Sequence, residues 1–201
     1  MRVMRVTLAA ILGCMMAMAW VGAPAFADGG HGGGGGGGGG GHDAGRDDGG
    51  GGGGVQDIQV RDDCDPATFN AAIGAGACVG NGDTTFAQFQ AKLNPQDFGD
   101  GHWKFNPNND TINRGDSLHP FNRGGETHTF TPVAQFGAGC VSALNTPLGL
   151  TGPPVVSDCQ AALANTALHP GDSRTISGLS PGVHRYQCVI HPWMRTTITV
   201  R

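Results

Sequence analysis

Three side chains near the end of the chain stand at equal spacing in the stretch Tyr186-Gln187-Cys188-Val189-Ile190-His191-Pro192-Trp193-Met194. Cys188 offers a thiol, His191 an imidazole and Met194 a thioether. Thiolate and thioether are soft donors and imidazole is borderline, so together they suit a thiophilic metal far better than calcium or magnesium. Taken singly, the same residues read as half a disulfide, a surface histidine and a core methionine. The choice rests on how the chain uses its other cysteines and where its strands fall.

Residues 1–27 read as a secretory signal peptide. Arg2 and Arg5 precede an apolar run from Val6 to Val21, and Ala25-Phe26-Ala27 supplies small residues at both key positions of a cleavage site. This implies a periplasmic or secreted protein in which disulfides are permissible. Without the leader, ten basic residues face 16 acidic ones, a formal charge of −6. That balance argues against nucleic acid as a partner. No segment beyond the leader is long and apolar enough for a membrane span.

Cys14 leaves with the leader, and five cysteines remain: Cys64, Cys78, Cys140, Cys159 and Cys188. An odd count in an exported chain leaves at least one thiol unpaired. Pairing neighbours, Cys64 with Cys78 and Cys140 with Cys159, leaves Cys188 over.

Residues 28–54 are mostly glycine and read as a disordered tether, since such a stretch buries too little apolar surface to offset its ordering entropy. Its His31 and His42 offer weak copper loading as an alternative role, the more so if processing exposes Gly29-Gly30-His31 as a free N-terminus. Residues 55–100 read as a small α-helical hairpin tied by Cys64 and Cys78. Asp65-Pro66 is an N-cap with proline at the first helical position, and Gly74 ends the helix. A second pattern starts at Asp83, puts Phe86, Phe89 and Leu93 on one face, and stops at Asn94-Pro95.

From about Gly101 short β-prone runs alternate with turns. The candidates are 102–105, 117–122, 126–131, 173–176, 183–188 and 195–200, which suggests a β-sandwich. The insert from Phe136 to Leu168 lacks clear periodicity. Strand parity puts residues 184, 186 and 188 on one face, and Met194, Thr196, Ile198 and Val200 on one face of the last strand. Ile198 and Val200 mark that face as inward, so Cys188 and Met194 both point in, with His191 in the loop between them. Zinc gains little from a methionine, whereas a copper electron-transfer centre takes two His and one Cys with a weak axial Met. The second imidazole is offered by His128, in a β-prone run after Gly124-Gly125.

Cys188-x-x-His191-Pro192-x-Met194 after a Tyr-x-Cys strand, with Gly-Glu-x-His128-Thr-Phe upstream, resembles the type 1 (blue) copper cupredoxins of plastocyanin and amicyanin type. The loop is most similar to that of amicyanin. The resemblance spans residues 101–201 and implies an all-β, Greek-key β-sandwich preceded by the helical hairpin and the tether. It also implies one copper ion, with His128, Cys188 and His191 as strong ligands and Met194 as the axial one. Asn122 matches the asparagine that pins the ligand loop in the family. Its usual hydroxyl partner after the cysteine is Val189 here, so its bond goes to backbone or is lost. Ile190 stands where amicyanin-like loops often carry proline. Its free N–H is expected to donate to the Cys188 sulfur beside that of Thr129, giving a relatively high reduction potential. The resemblance further implies an electron port at His191, framed by Pro192 and Trp193, and a redox protein as partner of a monomeric carrier. His102, His119, His169 and His184 are read as non-ligands. His119 precedes Pro120, whose place in a strand points to a sheet edge.

Other chemistries lack their residues. The chain has no His-x-His cluster for further coppers and no Cys-x3-Cys for a binuclear centre. No Ser/His/Asp pattern or phosphate loop stands out, so an enzyme is not expected.

Overall fold

A computed structural model describes residues 53–201. The leader, His31, His42 and nearly all of the tether lie outside these described residues. Strand β1 (Val55–Arg61) opens the fold, followed by helices α1 (Pro66–Ile73) and α2 (Phe86–Ala91). Strands β2 (Lys104–Asn106), β3 (Asn109–Ile112), β4 (Ser117–Asn122), β5 (His128–Thr129) and β6 (Thr131–Val133) come next. Helices α3 (Ser142–Asn145) and α4 (Cys159–Thr166) precede β7 (Ala167–Leu168), β8 (Gly182–Gln187) and β9 (Arg195–Val200).

The strands form mixed sheets in the orders β2-β1-β4 and β3-β9-β8-β6, with β5-β7 as a two-stranded piece. β1 runs parallel to β4 and β3 parallel to β9; β1/β2, β6/β8, β8/β9 and β5/β7 are antiparallel. The β-sandwich read from the sequence is the observed class. Period-two burial drives it: in β9 Thr196, Ile198 and Val200 are buried and the residues between them are not. Ile58 and Val60 of β1, Leu118 of β4, Phe130, Tyr186 and Ile198 join one core. Phe130 stacks on Tyr186 at 4.3 Å between centroids and meets Phe105 edge-on at 5.1 Å. β4 is the edge of its sheet, where Pro120 removes no ladder donor.

Residues 55–61 correct the sequence reading. They form a strand, not part of a helical hairpin, and β1 is the middle strand of its sheet. The reason is tertiary: Ile58 and Val60 are fully buried between neighbours on both sides. The helices themselves follow the expected signals. Asp65 caps α1 through the N–H groups of Ala67 and Thr68, and Gly74 ends it at φ 127°. The second cap is Thr85 rather than Asp83, because Thr85 and Gln88 close a reciprocal capping box. The expected strand at 173–176 is reduced to two isolated bridges, Leu118 with Ile176 and Phe121 with Ser173. Strands β3 and β7 had no sequence signal. Cys64–Cys78 and Cys140–Cys159 are bridged, and Cys188 is the free cysteine among the described residues. No helix of the described residues is long and apolar enough to cross a membrane.

Phe69 of α1 and Phe86 and Phe89 of α2 pack with Trp103 at centroid distances of 4.8–6.1 Å. This aromatic cluster seats the two helices on the sandwich directly over the loop that carries His191.

Candidate metal centre

β5 delivers His128, the end of β8 delivers Cys188, and the turn into β9 delivers His191. The Cys188 Sγ lies 4.0 Å from Nδ1 of His128 and 3.9 Å from Nδ1 of His191, and the two nitrogens are 3.2 Å apart. His128 and Cys188 are completely buried and His191 is 3% exposed. These separations define a point about 2.2 Å from all three atoms, in the range of the roughly 2.0–2.3 Å bonds that imidazole and thiolate make to a first-row ion. The residues therefore fit a metal, and His128, Cys188 and His191 are the group that could hold one among the described residues. Met194 is buried at the base of the same loop, 1% exposed.

Backbone contacts hold the donors. The Cys188 N–H donates to the carbonyl of Met194 and the Met194 N–H to that of His191, both at 3.0 Å, which closes the loop on itself. Two amides donate to the sulfur, those of Thr129 and His191, each at 3.4 Å. The second donor is thus His191 and not Ile190, because the turn that brings Met194 back under His191 aims the His191 amide inward. The Thr129 hydroxyl accepts from the Val189 N–H at 2.8 Å, fixing the first residue between the ligands. Asn122 donates to the carbonyls of Glu126 and Leu168 at 2.8 Å each, so its bonds go to backbone on both sides of β5.

Behind each imidazole stands a buried carboxylate that the sequence reading missed. Asp62 accepts from Nε2 of His128 at 2.7 Å and from the amides of Cys64, Gly125 and Glu126 at 3.2, 2.9 and 3.0 Å. Its approach is close: a Cβ at Gly124 would fall 1.9 Å from Asp62 Oδ2. Glu126 accepts from the Trp103 indole N–H at 2.5 Å and lies 3.7 Å from Nε2 of His191. Burial pushes Asp62 upward, but the His128 hydrogen bond and charge, with two backbone amides, outweigh it and bring it to about 2. Burial lowers His128, yet its contacts with Asp62 and Cys188 raise it to about 10. Burial likewise opposes ionisation of Cys188, and the two imidazoles overcome it, holding the thiol well below its usual range. Glu126 is raised, by burial first, against the pull of His191 and His128. Donation of Nε2–H to Asp62 leaves Nδ1 of His128 facing the sulfur, the orientation a metal ligand needs.

His191, read from the sequence as the electron port with Trp193, is packed among aromatic rings. The His191 ring meets Phe89 edge-on at 6.2 Å and Trp193 edge-on at 5.3 Å. The Trp193 indole donates to the Asp100 carbonyl at 3.1 Å and lies flat against Gly99, where a Cβ would come 2.3 Å from its ring. Residues 89–103 therefore roof both members of the proposed port, and Trp193 belongs to that packing rather than to a free patch.

The remaining histidines among the described residues have other partners. His102 meets Asp100 and His119 meets Asp57, both at 2.9 Å; His169 meets Thr127 at 3.0 Å and His184 the Ser180 carbonyl at 2.7 Å.

No family model and no curated protein matches this sequence. Solved structures similar to it include a purple cupredoxin from Nitrosopumilus maritimus, at 14% identity over 73% of this chain and 99% of that one, TM-score 0.39. An oxidised plastocyanin from Dryopteris crassirhizoma is 16% identical over 72% of this chain and 99% of its own, TM-score 0.36. A reduced amicyanin mutant is 17% identical over 49% of this chain and 73% of its own, TM-score 0.32. The site carries the stronger likeness: its buried histidine, cysteine and histidine follow the order and the loop spacing by which the sequence resembles the cupredoxins.

Proposed function

We propose that this chain is an exported type 1 copper protein that carries one electron at a time. The observation that supports it best is the convergence of two imidazole Nδ1 atoms on one buried, ionisation-prone thiol. Copper held there would supply a Cu(I)/Cu(II) couple. His128, Cys188 and His191 would hold it, and Met194 would add a soft thioether that favours copper over zinc. A donor set of four protein side chains would leave little room for a substrate, which supports transfer over catalysis.

The protein's part is to hold the donors still. The loop bonds from Cys188 to Met194, and from Met194 to His191, keep them in place in both oxidation states. The Thr129 and His191 amides stabilise charge on the sulfur. Asp62 and Glu126 act in the opposite sense to these two amides, since negative charge near the imidazoles favours the more positive ion. Two disulfides suit an oxidising compartment.

A second reading, copper storage or delivery, is favoured by the roof over His191, which stands between that ligand and a redox partner. Absorption and voltammetry separate these readings. Copper-loaded protein should be intensely coloured through thiolate-to-Cu(II) charge transfer, and Cys188→Ser should remove the band. Fast reversible voltammetry supports the carrier; a slow electrode response with ready loss of Cu(I) to a chelator supports handling. A colourless protein that takes zinc alone sinks both.

A further inference from the structure

The register of the first sheet lines up three cations. Arg61 of β1 lies opposite Lys104 of β2, and β1 pairs with β4 up to Val60 with Asn122, so the next residue, Arg123, flanks Arg61 on the other side. The Arg123 N–H donates to the Val60 carbonyl at 2.8 Å, which continues the ladder by one step. Three of the chain's 12 lysines and arginines thus form one row across three strands. Like charges directly opposite each other cost stability in a sheet. All three are exposed, and among the described residues none forms an ion pair with a carboxylate.

The row lines an open cleft of about 800 Å³ together with His102, Asp62, Asp63, Asn122 and Gly124. The acidic groups in it are engaged. Asp62 holds His128 and three amides, and Asp63 accepts from the Thr84 hydroxyl at 2.7 Å. The Arg123 guanidinium lies over the Phe121 ring at 5.4 Å, which fixes it at the rim. The three cations outnumber the two carboxylates in the lining, so the cleft presents net positive charge on a chain of net charge −4, and its wall includes the carboxylate bonded to His128.

We propose that this cleft docks the acidic face of a redox partner protein, on the His128 side of the centre rather than at His191. The inference rests on the carrier reading above. Charge complementarity selects the occupant: a cationic row on an acidic protein steers one orientation of approach and repels a basic partner. The roofed His191 cannot offer the contact, whereas Asp62 puts the cleft one hydrogen bond from a ligand.

The test uses poly-L-glutamate as the acidic polypeptide and inorganic phosphate as the small anion, titrated into the folded, metal-free and copper-loaded protein. Amide shifts should cluster at Arg61, Lys104 and Arg123, weaken with salt, and fade in the triple glutamine variant, with affinity falling roughly ten- to a hundredfold. Arg185→Gln, a control on β8, should leave binding unchanged. Should the triple variant misfold, Lys104→Gln alone still has to weaken binding. Equal affinity in the variants, or phosphate filling the cleft without displacing poly-L-glutamate, overturns the proposal. Voltammetry on carboxylate-terminated gold tests the underlying reading independently. A reversible wave that the triple variant alone loses supports both. No wave on any surface with poly-L-glutamate binding intact removes the carrier reading and with it the redox identity of the partner.

Discussion

Asp62 and His128 lie 66 residues apart and meet at 2.7 Å, carboxylate oxygen to Nε2. The residue just after a strand read as helical supplies the carboxylate, and a two-residue strand supplies the ligand. Asp62→Asn should keep the fold and the coloured copper site yet weaken copper affinity about 10- to 100-fold, as expected when the partner of a ligating histidine loses its charge. Competition with a Cu(I) chelator measures it. Unchanged affinity would reduce Asp62 to a structural role.

Acid should find the same pair. The folded value of Asp62, about 2, lies below its ordinary 3.8, so its stabilisation is present above pH 4 and is lost as pH falls through 2. The loss amounts to about 2 kcal/mol in the metal-free protein. Urea midpoints taken between pH 5 and pH 2 should fall in the native chain and much less in Asp62→Asn.

Metal loading should release a proton from His128. In the metal-free protein His128 stays protonated up to about pH 10, so copper must displace one proton from it at neutral pH. Cys188 is already biased toward thiolate and adds little. Apparent affinity should therefore rise about tenfold per pH unit below that range, with close to one proton released in an unbuffered titration. A pH-independent affinity contradicts this assignment.

The roof over His191 should govern exchange. Phe89→Ala removes the ring that meets both Trp103 and His191, at a cost of about 3–5 kcal/mol. Copper should then leave to a chelator faster, with little change in the visible band. Gly99→Ala tests the same contact from the other side, since its Cβ collides with Trp193. Reducing Cys64–Cys78, across a separation of 14 residues, should loosen α1 and cost about 3 kcal/mol.

Ile190→Pro should leave the reduction potential nearly unchanged, because the sulfur takes its amides from Thr129 and His191. A large shift in voltammetry would restore the role read for Ile190 from the sequence.

The ligand loop was legible because its chemistry is local. Three donors sit within seven residues, and the alternation of β9 fixes which way they face. His128 was legible through its glycine turn and its β-prone context. Asp62 was not: it lies in the stretch read as a helical hairpin, and its place depends on β1 being a central strand. Residues 55–61 carry only two apolar side chains on the buried face, and polar residues between them mask the pattern. Trp103, Phe89 and Glu126 escaped for a related reason, since their roles depend on how the helices dock over the loop. Local periodicity reports a face, not what lies opposite it.

The position of β9 has a consequence for synthesis. The thiol, the second imidazole and the thioether all fall between Cys188 and Met194, and β9 must pair with both β8 and β3 to set their turn. A chain still emerging can fold its helices and most of its first sheet, yet it holds no juxtaposed donors. Contacts of such long sequence separation close last. The centre is thus assembled only after β9 has emerged and paired, so a chain made only as far as β8 holds no set of donors to sequester the metal.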